Sequence, residues 1–163
     1  MSLLEAEAEI RRALLRYTRG IDRLDGELVA SAFHPGAMCV DYGADPLAIE
    51  DFVTYAIPRL EAGYLATQHR MSNISVDFGD DPDRARCEAY VLAFHVEQVD
   101  DGQRLHTFNG RYIDDFAWRD GAWKIAKRVL RLDWSRVEAL DETMGGAWVQ
   151  SARDRTDVVY DSE

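Results

Sequence analysis

A chain of 163 residues with 47% hydrophobic and 10% aromatic residues can close one sizeable core, and its composition is neither disordered nor that of two domains. A net charge of −11 argues against a nucleic-acid partner and disfavours an anionic membrane surface, because both need a basic face. Cys39 and Cys87, far apart among apolar neighbours, read as reduced core thiols rather than a disulfide framework or a zinc site. The first ten residues carry three glutamates and no basic segment, unlike a signal peptide, and no apolar run approaches the ~20 residues of a membrane span. The expectation is a cytoplasmic protein.

The first element is a helix. Ile10, Leu14, Tyr17, Ile21 and Leu24 recur at steps of four and three, so one stripe faces a core. Asp25-Gly26 breaks this pattern, and Asp25 suits the N-cap of a short helix carrying Leu28, Val29 and Phe33. His34-Pro35-Gly36 reads as a turn and Met38–Tyr42 as a strand. Asp45-Pro46 predicts the start of a further helix, with Ile49, Phe52, Val53 and Ala56 on one side and Pro58 near its end. From His69 the pattern turns to strands over about 69–78, 84–98, 104–117 and 122–134, joined by Gly79-Asp80-Asp81-Pro82, Asp100-Asp101-Gly102 and Arg119-Asp120-Gly121. Beyond Arg136, Val137, Leu140 and Met144 have helical spacing, followed by Gly145-Gly146 and a polar tail. Helices first and an antiparallel meander afterwards give an α+β fold, with helices packed on one face of a coiled sheet.

Several landmarks then occur in order: Tyr17 and Asp22 on the first helix, Phe33-His34-Pro35-Gly36-Ala37, Thr67-Gln68-His69, Gly110-Arg111-Tyr112, Gly121-Ala122-Trp123-Lys124-Ile125-Ala126 and Asp133-Trp134. Over about residues 3–136 the chain resembles the SnoaL-like branch of the nuclear transport factor two-like superfamily. The resemblance implies a cone-like barrel of strongly curved, mixed but mainly antiparallel sheet, packed against N-terminal helices and enclosing a pocket. It assigns that domain to 1–135 and leaves 136–163 as a C-terminal helical segment and tail. The fold hosts enzymes and plain binding proteins alike.

Within the superfamily the chain is most similar to the group containing scytalone dehydratase, hexachlorocyclohexane dehydrochlorinase and bile acid 7α-dehydratase. That group pairs an Asp of the first long helix with a His at the start of the sheet. Carried over, the pair is Asp22 and His69, 47 residues apart. Tyr17 matches a pocket position before the Asp, Arg128 a pocket arginine on the last strand, and His95 a position that is polar and functional in some relatives. Relatives often carry His-Arg where this chain has Lys127-Arg128.

Each assignment has a plainer reading beside it. Asp22 also fits a solvated acid near a helix end; beside an imidazole it would fix the tautomer and stabilise the imidazolium. His69 also fits an exposed strand start; as the side chain that titrates nearest neutrality it suits a general base taking a proton from carbon. Arg128 and Arg131 have opposite strand parity, so only one faces a pocket unless a bulge intervenes. An inward Arg128 would stabilise a developing anion, and an outward one would balance the acidic exterior. Tyr17 belongs to the apolar stripe, with a hydroxyl that needs a partner. Tyr42 stands at a strand end able to line the mouth. His95 shares a face with Cys87, Ala89, Val91 and Ala93, small residues that leave room for a ligand or bury the ring. His34 reads as part of a turn and His106 as exposed.

No His, Cys or acid spacing indicates a metal site, and no phosphate loop, dinucleotide motif or nucleophile elbow is present, so neither metal nor cofactor is expected. The leading reading is a cofactor-independent lyase, of dehydratase or dehydrohalogenase type, acting on a small, largely apolar ring compound. Catalytic Asp22, His69 and Arg128 would be flanked by Tyr17, Tyr42 and His95. The alternatives are an isomerase or polyketide cyclase using the same proton abstraction, and a non-catalytic binding protein like a dioxygenase small subunit. One exposed sheet face predicts a homo-oligomer, and the resemblance to the dehydratases implies a trimer, while other members of the superfamily pair as dimers.

Overall fold

Helix α1 (Leu3–Asp22) opens the chain as the spacing predicts. Ser2 caps it: its hydroxyl accepts from the Glu5 amide while the Glu5 carboxylate accepts from the Ser2 amide, a reciprocal capping box. The computed structural model describes residues 1–43, 45–141 and 147–161. Ile10, Leu14, Tyr17 and Ile21 are buried on one stripe of α1. Leu24 takes a left-handed φ of 54° and turns the chain back. Asp25 then caps α2 (Gly26–Ser31) by accepting from the Leu28 amide at 3.0 Å. Gly20 permits this hairpin of helices, since a Cβ there would stand 2.7 Å from Val29.

Six strands follow, β1 (Phe33–Val40), β2 (Leu47–Ala48), β3 (Ala66–Asp77), β4 (Arg84–Val99), β5 (Gly102–Arg119) and β6 (Ala122–Ala139), with α3 (Ile49–Gly63) between β2 and β3. Their order is β2-β1-β6-β5-β4-β3, all neighbours antiparallel except the parallel pair β1 and β6. The α+β class and the mixed, curved sheet are as expected. The sheet stays open, with β2 and β3 at its edges, so the cone is closed by α1 and α3 rather than by strand pairing.

Three local expectations are corrected. His34-Pro35-Gly36 lies within β1 rather than in a turn. The ladder to β6 skips between Phe33 and Met38, and that irregularity absorbs the proline and a Gly36 at φ 70°. The helix foreseen at Asp45-Pro46 starts later, at Ile49, because Leu47 and Ala48 are captured as strand by Cys39 and Met38. Arg136–Ala139 are not helical: β5 offers a long edge, and Val137 pairs with His106 and Ala139 with Arg104. Tertiary pairing overrides the helical spacing there. Met144 and Gly145-Gly146 lie outside the described residues.

The inner face of β4 carries Cys87, Ala89, Val91 and Ala93, all buried. These short side chains hold α1 against one half of the sheet and leave the other half hollow.

Candidate active site

The hollow is a cavity of about 760 Å³, within the range of small-molecule sites. Tyr17 and Ile21 reach it from α1, Tyr42 from the segment after β1, His69 from β3, His95 from β4 and Tyr112 from β5, and α3 forms much of the remaining wall. Asp41, at φ 64°, makes the left-handed step that precedes Tyr42.

Asp22 closes α1, where the helix dipole disfavours an anion. Three donors converge on it instead. Thr67 Oγ1 donates to Oδ1 at 3.1 Å, the His69 amide donates to Oδ2 at 2.9 Å, and His69 Nδ1 lies 2.7 Å from Oδ1. A carboxylate accepts, so Nδ1 carries a proton, and in the neutral ring it is Nε2 that holds the lone pair. The side chains of His69 and Asp22 are 8% and 13% exposed, which removes most competing water. The solvated-acid reading of Asp22 and the exposed reading of His69 therefore do not hold.

His95 stands edge-on to His69, with ring centroids 5.3 Å apart, and its other side meets Tyr64 at 4.9 Å. Burial first, and the neighbouring His69 second, push its pKa down to about 4, so it is a neutral polar contact at pH 7. Across the cavity the hydroxyls of Tyr17 and Tyr42 are 3.4 Å apart. Burial raises the pKa of both phenols and of Tyr112, which keeps them protonated and able to donate.

Arg128 departs from expectation. It is inward because a bulge at Ala126 switches the face of β6 after the buried Trp123 and Ile125, but it is fully buried and absent from the cavity wall. Its Nε and Nη2 donate to the two oxygens of Asp114 at 2.7 and 2.6 Å. Its guanidinium lies under the rings of Tyr112 and Tyr17, 4.0 and 4.2 Å from their centroids. Asp114 is its cross-strand partner and captures it, so the cation acts on the cavity through two phenol rings and touches nothing inside. Arg131 points outward to Asp41. Buried His34 donates through Nε2 to the Ala117 carbonyl at 2.8 Å, and half-buried His106 pairs with Glu97 at 2.8 Å, so neither is loop decoration. Cys39 and Cys87 are free, buried thiols whose pKa burial pushes up to about 12.

Sequence reasoning missed Thr67, Tyr64, Tyr112 and Asp114. Thr67 and Tyr112 stood in the Thr67-Gln68-His69 and Gly110-Arg111-Tyr112 landmarks without a role, and Thr67 precedes His69 by two residues on the same strand face.

The SnoaL-like domain family matches residues 2–129. The chain belongs to that family. A comparison with curated proteins finds no match. Among solved structures, LinA superposes with a TM-score of 0.76 at 19% identity, over 88% of this chain and 96% of its own. A putative scytalone dehydratase from Novosphingobium aromaticivorans gives 0.70 at 22% identity, over 86% and 97%. Hexachlorocyclohexane dehydrochlorinase LinA-type3 from Novosphingobium barchaimii gives 0.73 at 18%, over 88% and 97%. These likenesses establish the nuclear transport factor two-like fold of this SnoaL-like chain, and proteins named for dehydration and dehydrochlorination share it. Among the described residues no helix is long and apolar enough to cross a membrane.

Proposed function

We propose that the chain is a cofactor-independent lyase that removes water or hydrogen halide from a small, largely apolar ring compound. The observation that carries the reading is the 2.7 Å contact of His69 Nδ1 with a thrice-bonded Asp22 at the wall of an aromatic cavity. His69 Nε2 takes a proton from a ring carbon, and Asp22 holds the tautomer and offsets the imidazolium charge. Elimination also needs help at the departing group or at an adjacent oxygen. The paired hydroxyls of Tyr17 and Tyr42 are suited to that, with the Arg128 cation behind the Tyr17 ring favouring charge on its oxygen. Arg128 thus keeps an electrostatic part but not the direct contact first assigned to it. His95 supplies a neutral contact beside the base.

Isomerisation or cyclisation would use the same base without loss of a group, so product mass separates the readings. Purified protein is incubated with a panel of hydroxylated and halogenated ring compounds bearing an acidic C–H. The lyase reading expects a product lighter by one water or one hydrogen halide. A product of unchanged mass establishes the isomerase reading, and binding without turnover across the panel favours the non-catalytic one. We also propose a homo-oligomer, with a trimer before a dimer as the family resemblance implies; the exposed Tyr90 and Trp134 on the outer sheet face, among the Arg111–Glu88 and Arg111–Asp133 ion pairs, support a covered face.

A further inference from the structure

The C-terminal stretch Ala147–Asp161 folds back onto the rear of the site. Asp157 is buried and pairs with Arg23 Nε at 3.0 Å. The Tyr160 hydroxyl donates to Asp25 at 3.0 Å, and Arg155 reaches Asp25 and Glu27. This strap is thereby fastened to the junction of α1 and α2, next to Asp22. Just ahead of these fasteners it extends Arg153 to the end of α3. Arg153 Nη1 donates to the carbonyl of Leu60 at 3.3 Å and to that of Tyr64. Those carbonyls belong to the end of α3, where the helix leaves acceptors unmatched and where a cation is favoured by the dipole.

Two features exceed what a helix cap requires. Nε and Nη2 of Arg153 are also buried and have no partner in the described structure. Unmatched buried donors are costly, so the side chain is held there by something other than its own hydrogen bonds. Burial lowers the Arg153 pKa and Asp22 opposes that, while the Arg153 charge adds, after burial and the neighbouring histidines, to what keeps His95 neutral. Tyr64, whose carbonyl Arg153 holds, is the residue whose ring packs on His95 and on His106.

We propose that Arg153 is a positioning residue of the site, a strap-borne cation that latches the end of α3 through the Leu60 and Tyr64 carbonyls and so holds the Tyr64 ring against His95. It acts through Tyr64 and Asp22 and does not line the cavity. The inference rests on the reading of Asp22 and His69 as the reacting pair. It adds that the C-terminal segment is part of the site, fixing the wall formed by α3 and the charge balance around His95. That balance comprises His69 from β3, Asp22 from α1, His106 from β5, Glu97 further along β4, Tyr64 after α3 and Arg153 from the strap.

Side-chain nitrogen–proton correlation spectra of histidine-labelled protein, titrated downward from neutral pH, test this without any substrate. Arg153→Gln removes the charge, and the midpoint of His95 is expected to rise above its wild-type value of about 4. Arg153→Lys keeps the charge and is expected to stay near wild type, which a purely structural cap would not require. Asp157→Asn loosens the strap at Arg23 while retaining Arg153, and is expected to move His95 the same way by less. If Arg153→Gln does not fold, Asp157→Asn decides. An unchanged His95 midpoint in the folded variants, or equal shifts in the Gln and Lys variants, overturns the inference. A panel that yields no lighter product sinks the lyase reading and leaves this titration intact.

Discussion

Removing the carboxylate from Asp114 isolates the most deeply buried charge in the molecule. Arg128 and Asp114 are both fully buried and joined by two charged hydrogen bonds. In Asp114→Asn one amide oxygen remains to accept, and the guanidinium keeps its full charge without a counter-ion. Breaking a buried pair by removing one partner costs about 3–5 kcal/mol. The faces of Tyr17 and Tyr112 already contribute in the wild type, so they do not offset the change. At about 2–4 °C per kcal/mol for a domain of this size, the melting temperature falls by roughly 6–20 °C. Calorimetry or urea unfolding measures it. The double variant Asp114→Leu with Arg128→Met replaces the pair by apolar groups of similar length and is expected to regain most of the loss. A coupling energy below about 1 kcal/mol in that cycle, or an Asp114→Asn protein as stable as wild type, refutes the account of Arg128 as a sealed ion pair.

Other outcomes follow from the same geometry. Asp22→Asn keeps the shape but offers an amide in place of a carboxylate, so His69 loses its preference for the Nδ1–H tautomer, which imidazole nitrogen shifts report. His95 has a folded pKa below its unfolded one, so the unfolded chain binds the extra proton and stability falls as pH drops from about 6.5 toward about 4. The loss approaches about 3 kcal/mol at the low end, and His95→Gln is expected to flatten that slope in acid unfolding curves. Gly20→Ala gains helix propensity of about 1 kcal/mol but drives a methyl to 2.7 Å from Val29, so a net destabilisation of about 1–2 kcal/mol is expected by urea titration. Cys39 and Cys87, buried with pKa raised to about 12, should resist iodoacetamide at pH 8 in native protein and react fully in urea.

The helical stripe of α1, the cap at Asp25 and the strand-rich second half were readable from periodicity and turn chemistry, because they depend on neighbours in sequence. The meeting of Asp22 with His69 was readable only through the family resemblance, since 47 residues separate them and nothing local fixes their approach. The fate of Arg128 was hidden by one residue. Counting back from the Arg119-Asp120-Gly121 turn, where Arg119 pairs with Ala122, sets Arg128 opposite Ile113. A bulge between Asp115 and Phe116 slides the register so that Asp114 faces it instead. Val137 and Leu140 misled because their helical spacing sits on a segment for which β5 supplies a partner edge. Arg153 carried no sequence signal, and Tyr112 entered only as part of the Gly110-Arg111-Tyr112 landmark with no role, as the importance of both arises from what packs beside them.

The central claim is that His69 is the base of this cavity. Its most direct test is turnover by His69→Gln against wild type on a ring compound that the wild type converts. A fall of about 10²–10⁴-fold in kcat with an unchanged fold and retained binding is predicted. Turnover within a few-fold of wild type would contradict it.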